Sequence, residues 1–68
     1  MEISARNQLR GRVTAIALGG VMAEVRVQVG QNELVSVITR GSAEAMSIRV
    51  GDEVLVIIKA TEVMLGKP

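Results

Sequence analysis

The chain has 68 residues, enough for one small domain and too few for a second. It contains no histidine, no cysteine and no aromatic residue, which excludes disulfide bonds and removes the usual ligands of zinc and other soft metals. The formal net charge of +1 gives no strong field to attract nucleic acid or anionic lipid.

The first part of the chain predicts a β-hairpin. Residues Gln8 to Leu18 are rich in β-branched side chains, and Gly11 within this strand is a candidate bulge. Gly19-Gly20 is typical of a tight turn. From Val21 to Val29 apolar and polar residues alternate, which predicts a half-buried second strand. Its two faces are Val25, Val27 and Val29 on one side and Glu24, Arg26 and Gln28 on the other.

A third strand and a short helix follow. The turn at residues 30–32 leads into a strand from Glu33 to Thr39, which Arg40-Gly41 breaks. Residues Ser42 to Ser47 include good helix formers and are long enough for about one and a half helical turns. We expect the first of them, Ser42, to cap the helix N-terminus.

The last part of the chain predicts two more strands. After a turn at residues 50–52, Glu53 to Lys59 predicts a fourth strand and Thr61 to Leu65 a short fifth one, before a frayed end. Five short strands with one small helix between the third and the fourth predict an all-β fold, a five-stranded OB-type barrel. A set of open hairpins is the alternative, but it would leave strand edges unpaired.

The fourth strand also points to assembly. Val54 to Ile58 is an unbroken apolar run, so both faces of the strand are apolar, whereas a lone small barrel needs only one apolar face. A domain of this size buries only ~60% of the surface of its unfolded chain, and disulfides and soft metals are excluded. We therefore expect a homo-oligomer in which another subunit covers the second face.

The hydrophobic fraction of 49% excludes a disordered chain. No apolar stretch approaches the ~20 residues of a membrane span, and the first ten residues lack the apolar core of a signal peptide. We expect residues 1–68 to form a single cytoplasmic domain that has no membrane partner.

Catalysis has little support. The sequence offers no histidine as a general base and no cysteine as a nucleophile, and its scattered carboxylates form no convincing pair. Gly19-Gly20 lacks both the spacing and the following helix of a phosphate-binding loop. We expect neither an enzyme nor a directly bound metal cation.

Groups suited to anion binding are more prominent. Ser4 offers a hydroxyl and Arg6 a planar set of donors just before the first strand, and Lys59 follows the apolar run. Thr39 and Ser42 flank the start of the short helix. Each residue also has an ordinary interpretation: a solvated arm, an edge lysine, a strand end or a helix cap. Residue types alone leave both interpretations open.

Four segments together resemble the molbindins, small molybdate-binding proteins built from a single Mop, or TOBE-like, domain. They are SARNQLRGRV at 4–13, VMAEV at 21–25, ITRGS at 38–42 and KATEVML at 59–65. The resemblance covers essentially the whole chain. SARN combined with a distant KATEV is fairly specific, whereas either segment alone is weak.

The resemblance implies OB-type barrels assembled as a hexamer, a trimer of dimers, with oxyanion sites between subunits. The site residues that it implies are Ser4, Ala5, Arg6, Asn7, Thr39, Ser42 and Lys59. Thr39 and Ser42 would come from the neighbouring chain, and Ala5 and Asn7 would act through backbone or indirect contacts. Arg40 either alters anion affinity or lies in solvent.

The function implied is cytoplasmic binding of molybdate, and of the nearly isosteric tungstate, for storage and homeostasis. A small OB-fold nucleic-acid binder is an alternative, but the aromatic stacking platform and basic groove of such proteins are missing. A purely structural assembly module is the other alternative. The sequence does not separate storage from delivery or sensing.

Overall fold

The structure, a computed structural model, describes residues 2–68. Its strands form one antiparallel sheet in the order β3 (Asn32–Thr39), β2 (Met22–Val29), β1 (Asn7–Leu18) and β4 (Glu53–Ile58). The strands β3 and β4 are therefore its two edges. No helix within residues 2–68 is long and apolar enough to cross a membrane. The elements in chain order are β1 (Asn7–Leu18), β2 (Met22–Val29), β3 (Asn32–Thr39), α1 (Arg40–Ala45), β4 (Glu53–Ile58) and a 3-10 turn (Ala60–Glu62).

The long strand β1 holds the sheet together because it changes partner along its length. Residues 7–12 pair with β4, and residues 12–18 pair with β2. The register with β2 shifts between Val13 and Ala15, which places a bulge at Thr14. The prediction of a bulge at Gly11 is therefore wrong. The extra residue instead bends the strand just beyond the point where its partner changes.

Gly11 has a different role, which is to allow close packing. A Cβ added there would lie 2.5 Å from Cγ1 of Val27 and 2.8 Å from the carbonyl oxygen of Gln28. Backbone atoms cannot move aside as readily as the tip of a side chain. Glycine at this position therefore lets β1 approach β2 closely.

The core is small and aliphatic. Val13, Val25 and Val27 are buried at its centre, and six half-buried side chains surround them. The predicted inward face of β2 is confirmed, since Val25 and Val27 are buried and Val29 is half-buried, whereas Arg26 is exposed. The surrounding residues are Ile16, Val29, Ile38, Ile48, Val54 and Val56.

The short helix begins earlier than predicted. Thr39, the last residue of β3, is the N-cap, and its Oγ1 accepts a hydrogen bond of 3.0 Å from the backbone N–H of Ser42. The prediction of Ser42 as the cap is wrong, because Ser42 is the third helical residue. Both residues carry a hydroxyl, but only Thr39 has the extended backbone that the cap position requires. Ser47, at φ 52°, ends the helical segment in the left-handed region.

The predicted fifth strand at Thr61 to Leu65 does not form in this chain. Residues Ala60–Glu62 make a 3-10 turn, with the N–H of Glu62 donating to the carbonyl of Lys59 at 2.8 Å, and the following residues extend without a strand partner. The sheet therefore has four strands. The turn satisfies its backbone groups locally, whereas a strand must find an edge to pair with.

An open apolar groove lies between the two edges of the sheet. Its cavity volume is about 520 Å³, and β3 and β4 do not pair across it within the described residues. Its apolar walls include Val25, Val27, Ile38, Ile48, Val54 and Val56. Ile57 of β4 also lines the groove and is exposed.

Candidate functional site

The segment before β1 carries the first group of predicted site residues. Ser4 and Arg6 are exposed, and Ala5 between them is half-buried. The carbonyl of Ala5 accepts a hydrogen bond of 2.8 Å from the side-chain amide of Gln8. This bond folds the segment against the start of β1, so that it does not continue straight along the strand.

Lys59 lies at the same end of the sheet. Asn7 is paired with Ile58 in the β1–β4 register, and its Nδ2 also donates to the carbonyl oxygen of Ile58 at 3.2 Å. Lys59 is the next residue, and it is exposed. Within residues 2–68 neither Arg6 nor Lys59 takes part in an ion pair. Two cationic side chains are thus available to an anion at this end of the sheet.

The second group, Thr39 and Ser42, forms a compact pair of hydroxyls. The hydroxyl of Thr39 donates to Oγ of Ser42 at 2.7 Å while it accepts from the N–H of Ser42. This arrangement uses the Thr39 proton and leaves the Ser42 hydroxyl proton free to donate. Both residues are exposed, so the pair is accessible from outside the chain.

The two groups lie at opposite ends of the sheet. Thr39 pairs with Met22 of β2, which lies near Leu18 at the end of β1. Lys59 follows Ile58, which pairs with Asn7 at the start of β1. The 12 residues of β1 rise about 3.3 Å each, and the whole chain is 35 Å along its longest axis. One chain therefore does not bring all the predicted ligands together. Each of the two groups of predicted ligands is a candidate half-site: the first is Ser4, Arg6 and Lys59, and the second is Thr39 and Ser42.

Arg40 adjoins the second half-site but does not lie free in solvent. Its Nε is 2.7 Å from Oε1 of Glu44, and its Nη1 donates to the carbonyl of Gly19 at 3.1 Å. The Glu44 contact could have been read from the sequence, because residues four apart on a helix are neighbours. The Gly19 contact depends on the fold.

A further group of charged side chains lies on strands β2 and β3. On the outer face of the sheet Arg26 bridges Glu33 at 2.6 Å and Glu24 at 2.9 Å. The hydrogen bond with Glu33, and then the negative charges of Glu24 and Glu33, raise the pKa of Arg26 above its usual value. Among the described residues no group of three or more acidic side chains could hold a metal ion.

The fold belongs to a known class of small domain. Residues 3–65 match the family model described as TOBE domain, and the chain belongs to this family. The molybdenum transport protein ModE of Azotobacter vinelandii is 46% identical over 66 residues, which are 96% of this chain and 24% of that protein. Molybdenum-pterin-binding protein 1 of Clostridium pasteurianum is 41% identical over 66 residues, 96% of this chain and 97% of that protein. The chain thus spans about a quarter of ModE and nearly all of the clostridial relative.

Two solved structures have the same fold. A molybdate-binding protein from Sporomusa ovata matches with a TM-score of 0.95 at 39% identity, covering 98% of this chain and 100% of that one. The cytoplasmic molybdate-binding protein ModG, with molybdate bound, matches with a TM-score of 0.84 at 41% identity, covering 88% of this chain and 43% of that one. The resemblance to the molbindins seen in the sequence is confirmed.

Proposed function

We propose that this chain binds molybdate reversibly in the cytoplasm, as a store or buffer without a catalytic role, at sites shared between subunits. The observation that carries the proposal is the separation of the two half-sites. Ser4, Arg6 and Lys59 lie at one end of the sheet and Thr39 and Ser42 at the other. A second chain can supply the half that the first one lacks. The molybdate-binding relatives of similar length support the nature of the ligand.

The donor chemistry suits a tetrahedral dianion. Arg6 and Lys59 offset its two negative charges, and the hydroxyls of Ser4 and Ser42 donate to its oxygens. In an assembled site, the Thr39 hydroxyl donates to Oγ of Ser42 and so orients the Ser42 hydroxyl, whose proton donates to the anion.

Two residues of the SARN segment, Ala5 and Asn7, hold its other two residues in place. The half-buried Ala5 is too small to obstruct the anion, and its carbonyl fixes the bend through Gln8. Asn7 ties the segment to the end of β4 and thereby keeps Ser4 and Arg6 near Lys59. Their contribution is to hold the ligands in place.

Assembly also completes the fold in this proposal. Residues 1–68 form one domain whose OB-type barrel acquires its fifth strand when an extended segment covers the open groove. Val63, Met64 and Leu65 are exposed at 45%, 92% and 95%, and they are the apolar residues that such a strand needs. The unpaired edges of β3 and β4 supply the backbone partners. We propose a hexamer, a trimer of dimers, as the complete assembly.

Selectivity follows from size. Molybdate and sulfate share charge and shape, so a cavity fitted to the larger anion is the main means of rejecting sulfate. Tungstate is nearly isosteric with molybdate, and we expect it to bind about as well.

Isothermal titration tests the proposal. Molybdate and tungstate should each give a saturable binding heat that excess sulfate reduces only slightly. If molybdate gives no heat and equilibrium dialysis confirms that none is bound, the proposal is wrong. The chain would then be a structural assembly module.

A further inference from the structure

Arg40 connects three parts of the structure at the second half-site. Its backbone N–H donates to the carbonyl of Val21 at 2.7 Å, and its Nη1 donates to the carbonyl of Gly19 at 3.1 Å. Its Nε meets the carboxylate of Glu44, one turn further along α1, at 2.7 Å. The β1–β2 turn, the end of β3 and the helix are therefore joined through one residue.

These contacts are important for the stability of α1, because the helix is short and buries little of its surface. The helix has six residues, and Ala43 is its only buried one. Isolated helices shorter than about 12 residues are marginal in water. The first turn of α1 contains the N–H of Ser42 that bonds Thr39, so any opening of that turn separates the two hydroxyls.

We propose that Arg40 is a positioning residue for the oxyanion site, an inference that rests on the proposed function. Its guanidinium holds the first turn of α1 against the β1–β2 turn and so fixes the Thr39–Ser42 pair in the geometry that receives the anion. Its charge is matched by Glu44, and its Nε and Nη1 donate to Glu44 and Gly19. Arg40 therefore acts through Thr39 and Ser42 and does not contact the anion.

Three variants separate this role from a direct attraction between Arg40 and the anion. Arg40→Met removes both side-chain contacts but keeps an aliphatic stem. Arg40→Lys keeps the charge, but an ammonium group cannot reproduce the planar arrangement that reaches Glu44 and Gly19 together. Arg12→Met removes the same charge from an exposed arginine of β1 that forms no ion pair within residues 2–68, and serves as the matched control.

Two quantities are measured for each variant, the Kd for molybdate by titration and the hydrogen exchange of the Ser42 amide in the unliganded protein by NMR. In Arg40→Met we expect the Kd to rise about fivefold, because the competent turn is populated for a smaller fraction of the time. The Ser42 amide should also exchange faster, because the open fraction of the turn rises as the competent fraction falls. The amide of Val25, in the buried centre of the sheet, should keep its rate, which separates a local effect from general loosening.

The outcomes are distinct. The proposal predicts that Arg40→Lys behaves like Arg40→Met and that Arg12→Met leaves the Kd unchanged. It is overturned if lysine restores the affinity, if Arg12→Met weakens binding as much, or if Ser42 exchange stays at the wild-type rate in Arg40→Met. If the unmodified protein binds no molybdate, the proposed function fails, and the exchange measurement still decides whether Arg40 holds the Thr39–Ser42 pair.

Discussion

The side-chain amide of Asn7 donates a hydrogen bond of 3.2 Å to the carbonyl oxygen of Ile58, across the pairing of β1 with β4. This contact fixes where the chain enters the sheet relative to where β4 ends. Ser4 and Arg6 precede Asn7, and Lys59 follows Ile58, so this hydrogen bond joins the two segments that carry these predicted anion ligands.

Changing Asn7 to aspartate should weaken anion binding more than it weakens the fold. The carboxylate cannot donate to Ile58, which costs about 1 kcal/mol of unfolding free energy, and it adds negative charge beside Arg6 and Lys59. We expect the Kd for molybdate to rise by at least about tenfold. Gln31→Glu adds the same charge in the exposed β2–β3 turn and should leave the Kd unchanged. Equal losses in both variants would assign the effect to net charge.

Removing either cationic side chain of the first half-site should reduce the affinity for molybdate without dissociating the assembly. Arg6→Ala and Lys59→Ala each lose a charge-assisted hydrogen bond, and we expect the Kd to rise roughly 10- to 100-fold. Arg12→Ala is the matched control. Titration gives the Kd, and native mass spectrometry checks the assembly. Unchanged affinity in both site variants would remove these residues from the site.

Thr39 should contribute mainly to stability, and Ser42 mainly to molybdate binding. Thr39→Ala removes the helix cap and should cost about 1 kcal/mol of unfolding free energy. Ser42→Ala retains the backbone N–H that donates to Oγ1 of Thr39. It should therefore change stability little while it weakens molybdate binding. Urea denaturation and titration measure the two effects. If Ser42→Ala is less stable but binds molybdate with unchanged affinity, Ser42 is not a ligand and its role is structural.

Gly11 should be intolerant of even a methyl group. Alanine there would meet Val27 and the backbone of Gln28, and we expect a loss of about 1 to 3 kcal/mol in urea denaturation. Gly20→Ala, in a turn where an added Cβ meets nothing within 4 Å, is the control. A wild-type midpoint for Gly11→Ala would show that β1 and β2 can move apart at no cost.

Local patterns in the sequence predicted much of the sheet. The alternation around Val25 and Val27 identified the buried face of β2, because side-chain direction in a strand follows from spacing alone. The bulge at Thr14 could not be predicted in this way. It depends on the strand changing its partner from β4 to β2, which is a non-local property.

The site shows the same division between local and non-local information. Residue types identified Arg6 and Lys59 as candidate anion ligands, but strand pairing determines that they share one end of the sheet. The helix cap was assigned to Ser42 because two hydroxyls at this spacing satisfy the same rule, and only the backbone of Thr39 distinguishes them. The predicted fifth strand needs an edge to pair with, which the sequence of one chain does not reveal.

The most direct test of a shared oxyanion site is complementation between two defective variants. Arg6→Ala combined with Lys59→Ala disables one half-site. Ser42→Asp disables the other by repelling the anion, while an acidic residue in the first helical turn remains favourable for α1.

Each variant alone should bind molybdate weakly, and the two should be unfolded together, refolded in equal amounts and titrated. Random assembly should restore about a quarter of the sites at wild-type affinity, since each site takes one half from each of two chains. If native mass spectrometry finds mixed assemblies but titration finds no recovered sites, the anion does not bind between subunits as proposed.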